Sequence, residues 1–226
     1  MLRKLRTLTS RKKAVIFDYD GVLNDSFRTI YILYNEFYKR GISNMHFSSF
    51  EEFRDFFHGD ISFNMQRIGI GDEAGRQKSE QVIRELLPGL DQGNRMYDGI
   101  EDAIKSLHSN GYKIGIVSNS MKEVIDNKLR KHGLEYAIAA VIGHDEIEKK
   151  KPHPEGILKC LNELYVKPKN AVYVGDMATD IKAARAAGIK IIVATYGYEP
   201  LHKLSGGDAY INHPSELCNT VRGIIG

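Results

Sequence analysis

Two aspartates one residue apart, Asp18 and Asp20, close the apolar run that begins at Ala14, and a second pair, Asp176 and Asp180, follows the apolar run Ala171–Val174. Between these pairs, Ser118-Asn119 follows Lys113–Val117, and Lys151-Pro152 lies in the stretch after Ala139–Ile142. Short, strongly apolar runs of this kind read as buried strands. In an open α/β sheet, ligands bind beyond the carboxyl ends of the strands. Four strands therefore deliver acids, a hydroxyl, an amide and an ammonium to one edge of a sheet that could close without any of them.

Those residue types suit phosphoryl transfer. A carboxylate is already ionised near neutral pH, so Asp18 needs no base to act as a nucleophile. Its obstacle is repulsion from a phosphate dianion. Mg2+ offsets that repulsion and takes oxygen ligands, commonly one or two carboxylates with waters; Asp18 and Asp176 are candidates to supply them. Lys151 adds a fixed positive charge. The Ser118 hydroxyl, the Asn119 amide and backbone N–H groups around Asp20 and Gly21 can hydrogen-bond phosphoryl oxygens. Gly21 permits close backbone approach. Attack by Asp18 yields an aspartyl-phosphate. Asp20 is then placed to protonate the leaving oxygen and later to deprotonate the attacking water, which requires a pKa raised toward neutrality. A lone Asp after a strand also serves as a helix cap or turn former, and Asp20 and Asp180 each fit that plainer role. The joint pattern singles them out. Of the adjacent Lys149, Lys150 and Lys151, the Pro152 neighbour selects Lys151.

Positioning these groups requires a regular scaffold. Further apolar runs occur at Lys190–Ala194 and Ala209–Ile211. Helical stretches alternate with the runs, at Gly99–Asn110, Val124–His132, Pro154–Leu164, Ala178–Ala187 and Ser215–Ile225. Strands alternating with helices predict an α/β fold, a Rossmann-like three-layer parallel sheet covered on both faces. One region breaks the alternation. From about Ser26 to Met96 no strand stands out, while Ile30, Leu33, Tyr34 and Phe37, then Phe50, Phe53 and Phe57, then Val82, Ile83, Leu86 and Leu87 recur at helical spacing. This predicts an inserted domain of three or four helices, with Pro88-Gly89 and Asp98-Gly99 marking the return to the core. The expected organisation is a basic tail over 1–13, a core over 14–23 and 97–226, and a helical insertion over 24–96. The aromatic residues of the insertion read as packing.

Composition narrows the classes. The chain has 226 residues, 42% hydrophobic and 27% charged, with a net charge of +3, as in an ordinary globular protein. Much of the excess charge lies in Arg3, Lys4, Arg6, Arg11, Lys12 and Lys13, so charge gives no reason to expect nucleic-acid binding. The longest apolar run, Tyr136–Gly143, is far too short to span a membrane. Cys160 and Cys218 lack CxxC spacing and read as small buried hydrophobes, in keeping with a reducing cytoplasm. The first thirteen residues read as a solvated tail.

Asp18-Tyr19-Asp20-Gly21-Val22-Leu23, Ser118-Asn119, Lys151-Pro152 and Gly175-Asp176-Met177-Ala178-Thr179-Asp180 resemble the four motifs of the haloacid dehalogenase-like superfamily. Order and strand placement also match, over nearly the whole chain from Lys13 onward. The resemblance implies that Asp18 is the nucleophile and a metal ligand. It makes Asp20 the acid/base, offering its backbone carbonyl to Mg2+. Ser118 and Lys151 would bind the phosphoryl group, Asp176 would ligate Mg2+, and Asp180 would support the metal or orient Lys151. The insertion corresponds to the superfamily's cap, which closes over the site and selects the substrate. Dehalogenases of the superfamily lack an acid two residues after the nucleophile, so Asp20 points to phosphoryl transfer. Asp25-Ser26, Lys151-Pro152-His153-Pro154-Glu155, Ala183-Ala184-Arg185-Ala186-Ala187-Gly188 and Tyr196-Gly197-Tyr198 look like the phosphoglycolate phosphatase branch. The branch also holds pyrophosphatases, sugar-phosphate phosphatases and mutases. The expectation is a cytoplasmic, Mg2+-dependent phosphatase acting on a small phosphorylated metabolite, with phosphoglycolate as the leading substrate. A sugar-phosphate phosphomutase, a pyrophosphatase and a non-catalytic binding module are the alternatives. In the insertion, His58 and Asp60 in the Phe57-His58-Gly59-Asp60 turn, and Arg67, are candidates for substrate contact, beside the plainer readings of a surface turn and a solvated helix position.

Overall fold

The computed structural model describes residues 12–58, 61–91 and 95–226. Most of the basic tail, and Asp60, lie outside the described residues. The central sheet is built from β1 (Ala14–Phe17), β4 (Lys113–Val117), β5 (Ile138–Ile142), β6 (Ala171–Gly175), β7 (Lys190–Ala194) and β8 (Ala209–Ile211). They form one six-stranded sheet in the order β5-β4-β1-β6-β7-β8, and every pairing in it is parallel. The first strand thus sits in the middle. The chain adds strands on one side of it, then returns to its other side, and that reversal opens a crevice at the carboxyl ends.

Alternation along the strands sorts side chains to two faces. Val15, Phe17, Ile114, Ile116, Val172 and Val174 bury one face against α5 (Ile100–Ser109), α6 (Lys122–Lys131) and α9 (Leu217–Ile225). Ala14, Ile16, Tyr173, Ile191 and Val193 bury the other against α7 (Glu155–Leu164) and α8 (Ala178–Ala186). Each helix meets the sheet with residues at 3.6 spacing, such as Ile157, Cys160, Leu161 and Leu164 in α7. Cys160 is buried and Cys218 half-buried, and both are free thiols. Packing is tight where α7 crosses β4: a Cβ on Gly115 would lie 2.4 Å from Cys160 Sγ. Gly115→Ala is therefore expected to cost about 1–3 kcal/mol of stability, read as a lowered urea midpoint at unchanged slope.

The insertion is helical: α1 (Phe27–Lys39), α2 (Phe50–Phe56), α3 (Ile61–Arg67) and α4 (Glu73–Asp91). Phe27, Phe37, Phe47, Phe53, Phe57 and Tyr34 form its buried centre, with ring centroids 5.0 Å apart for Tyr34–Phe53 and Phe47–Phe53. Tyr198 and Met177 of the core belong to the same cluster. Two details differ from the sequence reading. Arg95–Met96 is a strand, β3, paired antiparallel with β2 (Asn24–Asp25) where the chain leaves and re-enters the core. A two-residue ladder carries no alternation to detect. Pro88 lies inside α4 rather than ending it, where its missing N–H leaves the Arg84 carbonyl without its usual helix donor. Among the described residues no helix is long and apolar enough to cross a membrane.

Candidate active site

The site is set by strand register. Phe17 pairs with Ile116 on one side and Val174 on the other, so the residues just past β1, β4 and β6 emerge together. Asp18 follows β1, with its N–H donating to Val174 O at 2.8 Å. Ser118 follows β4, and Asp176 follows β6. Asp18, Ser118, Asp176 and Asp180 are all buried.

Lys151 reaches the same point from the loop before α7. Its Nζ lies 2.7 Å from Asp18 Oδ2 and 2.7 Å from Asp180 Oδ1, and donates to Tyr173 Oη at 3.2 Å. Burial alone would pull this ammonium down; the Asp18 and Asp180 carboxylates more than offset it and hold it well above its ordinary 10.5. Asp180 is committed twice. Beyond Lys151, its Oδ2 accepts the Asp176 and Met177 N–H groups at 3.1 and 3.0 Å, capping the start of α8. The two plain roles, helix cap and lysine orienter, are thus held by one side chain.

Asp18 Oδ1 accepts the Tyr19 N–H at 2.7 Å. Burial pushes the Asp18 carboxyl from its ordinary 3.8 to about 7, with Lys151 opposing and Asp180 adding to the rise. Asp176 is raised well above its ordinary value by burial first, then by Asp180 and Asp18. Its Oδ2 accepts the Tyr198 N–H at 2.6 Å, while its Oδ1 is buried without a partner among the described residues. Oxygens of Asp18, Asp176 and Asp180 lie within 4.8 Å of one another. Three buried acids facing one ammonium, with an orphaned carboxylate oxygen among them, are what a divalent cation would satisfy. Asp180 is committed to Lys151 and the helix cap, whereas Asp176 Oδ1 is open and an Asp18 oxygen lies within 4.8 Å of Asp176, so Asp18 and Asp176 are the direct ligand candidates.

Asp20 is held at the cavity wall by three donors. Its Oδ1 accepts from Asn24 Nδ2 at 2.9 Å and Ser26 Oγ at 2.7 Å, and its Oδ2 from Ser120 Oγ at 2.6 Å. Gly21 corrects an expectation. Its N–H donates to Asn24 O at 3.0 Å, so it is occupied in closing the turn and not offered to a phosphoryl group. Its glycine is required for another reason. At φ 84°, a Cβ there would lie 2.2 Å from Asp176 Oδ2. On the opposite flank a Cβ on Gly197 would lie 2.3 Å from Asp176 Cβ, so two glycines let the backbone close around this acid.

A cavity of about 280 Å3 opens over these groups, lined at its base by Asp18, Asp20, Ser118, Asn119, Ser120 and Lys151. Asn119 Oδ1 is buried there without a partner. Neither His58 nor Arg67 is among the described residues lining the cavity. The His58 side chain is exposed, with its ring 5.3 Å from Phe63. The Arg67 guanidinium lies 4.0 Å from the Phe56 ring centroid and donates to Phe56 O at 2.7 Å. It fastens α3 to α2, a role helical spacing cannot distinguish from ligand contact.

Residues not anticipated as functional complete the site. Tyr198 stacks on Phe27 of α1 at 4.5 Å, and its hydroxyl makes a short hydrogen bond to Ser26 Oγ. Arg54 of α2 donates to Tyr198 O at 3.0 Å and also to Gly197 O. The loop that holds Asp176 is thereby tied to the insertion. Glu199 Oε2 accepts the Ala178 N–H at 2.6 Å. Ser120 carried a legible signal, two residues beyond Ser118 in Ser118-Asn119-Ser120; Ser26 and Tyr198 were marked only by the Asp25-Ser26 and Tyr196-Gly197-Tyr198 resemblances, which give no role, because their partners are distant in the chain.

A family model described as haloacid dehalogenase-like hydrolase matches residues 15–194. A phosphoglycolate phosphatase of Salmonella paratyphi A is 33% identical over 139 residues, covering 59% of this chain and 55% of that protein. The chain thus spans about half the length of the curated relative it matches. Among solved structures, CbbY from Rhodobacter sphaeroides in complex with phosphate aligns with TM-score 0.72 at 20% identity, covering 91% of this chain and 96% of that one. A HAD-superfamily hydrolase from Geobacter sulfurreducens aligns with TM-score 0.71 at 22% identity, covering 93% and 96%. At these identities the structural likeness speaks to the fold: a Rossmann-like α/β core with an inserted helical cap.

Proposed function

This chain belongs to the haloacid dehalogenase-like hydrolase family, and from that premise we propose that it is a Mg2+-dependent phosphatase of small organic phosphate monoesters. The observation that carries the reading is the convergence of Asp18, Asp176 and Lys151, with Asp176 Oδ1 orphaned among the described residues and with Asp18 and Lys151 at the base of one cavity. The name borne by the Salmonella relative makes phosphoglycolate the first ester to test.

Asp18 attacks phosphorus, and the bond from phosphorus to the ester oxygen breaks. Asp20, acting as the general acid, gives a proton to that oxygen and the alcohol departs. Asp20 then takes a proton from water, which attacks the aspartyl-phosphate, releasing inorganic phosphate and restoring Asp18. Lys151 stays charged throughout and faces the phosphoryl oxygens together with the Ser118 hydroxyl and the Asn119 amide. Asp180 keeps the ammonium aimed at Asp18. Asp18 and Asp176, with the Asp20 backbone carbonyl, would hold Mg2+, which would supply charge neutralisation at the phosphoryl group. The cap excludes water during transfer.

The test is direct. The protein should hydrolyse p-nitrophenyl phosphate with Mg2+ and lose that activity on chelation with EDTA. Activity that persists after exhaustive chelation sinks the metal assignment. Failure on every ester with Mg2+ bound sinks the phosphatase itself.

Tyr198 separates positioning from chemistry. Its backbone N–H holds Asp176, while its hydroxyl fixes Ser26 against Asp20. Tyr198→Phe removes only the second contact. The expected result is a fall in kcat of roughly fivefold, the worth of one hydrogen bond of about 1 kcal/mol, with Mg2+ affinity unchanged. A loss of Mg2+ binding in this variant would show that the hydroxyl acts through the loop instead.

A further inference from the structure

The two ends of the cavity differ in chemistry. Every acid lining it among the described residues lies at the sheet edge. Much of the rest of the wall is apolar: Ile30 and Leu33 of α1, Phe57, Ile61 of α3, Leu87 of α4, and Val124 of α6, with Ser26, Thr29, Lys128, Thr179 and Tyr198 as its polar members among the described residues. Ile61, Leu87 and Val124 are 50%, 37% and 45% exposed, so three large apolar side chains from three helices face one open space. Apolar surface gathered in this way marks a contact site, and covering it stabilises the complex.

Charge is distributed against an anionic leaving group. Apart from Lys151 at the base, Lys128 is the one cation among the described lining residues, and it is already engaged in an interaction within the protein. A carboxylate attached to the departing alcohol would meet isoleucine and leucine on the cap side and Asp18 and Asp20 beneath. A buried anion without a partner is costly. An uncharged carbon chain meets no such penalty, and about 280 Å3 is near the lower end for small-molecule sites, roughly 300 Å3 and above.

We propose that the substrate is the phosphate monoester of an uncharged, largely apolar alcohol of a few carbons, seated with its phosphoryl group at Asp18 and its carbon skeleton against Ile30, Leu33, Ile61, Leu87 and Val124. This rests on the phosphatase reading and narrows its substrate class.

The experiment compares kcat/KM, with saturating Mg2+, for n-alkyl phosphates from ethyl to hexyl, phosphoglycolate, glucose 6-phosphate and p-nitrophenyl phosphate. Within the alkyl series the leaving-group acidity is nearly constant, so chain length reports apolar contact. The expected rise is roughly fourfold per added methylene until the cavity is filled, with the best alkyl ester more than tenfold above phosphoglycolate. Leu87→Lys, at a part-exposed position, is expected to flatten the series and raise phosphoglycolate more than tenfold relative to butyl phosphate. A flat alkyl series in the unaltered protein, or a preference for phosphoglycolate or glucose 6-phosphate, overturns the substrate class and leaves the phosphatase intact. Turnover of no ester, p-nitrophenyl phosphate included, overturns both.

Discussion

Asp18→Asn is expected to abolish phosphate-ester hydrolysis, lowering kcat by roughly four orders of magnitude or more, while leaving a folded protein. The amide is close in shape to the carboxylate but offers no anionic oxygen to attack phosphorus. The stability side of the prediction has a definite sign. Burial lifts the Asp18 pKa from 3.8 to about 7, so in cation-free protein the folded state keeps a proton between those values that the unfolded chain has released. Stability contributed by this group therefore falls as pH rises from about 4 to about 7 and is level above. Asp176 acts in the same direction. At pH 8 in EDTA the asparagine variant avoids an ionised buried carboxylate and should melt no lower than the unaltered protein, and its stability should depend less on pH across that window. The measurements are single-turnover kinetics and melting curves from pH 4 to 8. Substantial hydrolysis by the variant would refute the nucleophile. Inactivity accompanied by a collapsed melting temperature would leave the chemistry to be settled by Asp18→Glu, which keeps the charge but displaces the oxygen and should be nearly as inactive.

Asp176→Asn should weaken Mg2+ binding by roughly a hundredfold or more and reduce hydrolysis at least in proportion. The reason is electrostatic. Oxygens of Asp18, Asp176 and Asp180 lie within 4.8 Å of one another beside one ammonium, and Asp176 Oδ1 has no hydrogen-bond donor among the described residues. A divalent cation supplies the missing positive charge. The variant keeps an amide oxygen for the Tyr198 N–H but loses the charge, so folding should survive and metal affinity should not. Mg2+ should raise the melting temperature of the unaltered protein and not that of the variant. Because burial raises the Asp18 and Asp176 carboxyl pKa values, Mg2+ binding near pH 7 should release protons, visible as binding heats that depend on the buffer's ionisation enthalpy. An undiminished thermal shift in Asp176→Asn would remove this residue from the metal site. Binding without proton release would contradict the raised carboxyl pKa values.

The core was legible because its signals are local. Val15 and Phe17 alternate with Ala14 and Ile16 across β1, and β4, β6, β7 and β8 are short runs, mostly apolar, followed by Ser118, Asp176, Thr195 and Asn212. Helix periodicity located α5, α7 and α9 to within about two residues. The brief β2–β3 ladder and the passage of α4 through Pro88 were missed for separate reasons: a two-residue pairing has no period, and a proline removes a helix donor and so reads as a break even where the chain stays helical through it. In the insertion, His58 and Arg67 could not be sorted from ligand contacts, because an arginine over Phe56 and one over a substrate have the same spacing.

What the amino-acid order determined alone was which groups leave the ends of the strands, since a parallel strand ending in an acid carries that acid to the sheet edge wherever the strand pairs. Only the tertiary structure decided how the groups are shared: Asp180 between a helix cap and Lys151, Gly21 as space for Asp176 rather than a phosphate donor, and Tyr198 bridging the Asp176 loop, Ser26 and the insertion. Those assignments depend on distances of a few ångströms between residues up to 172 positions apart, and short-range hydrogen bonds and contacts between such residues leave no periodicity along the chain.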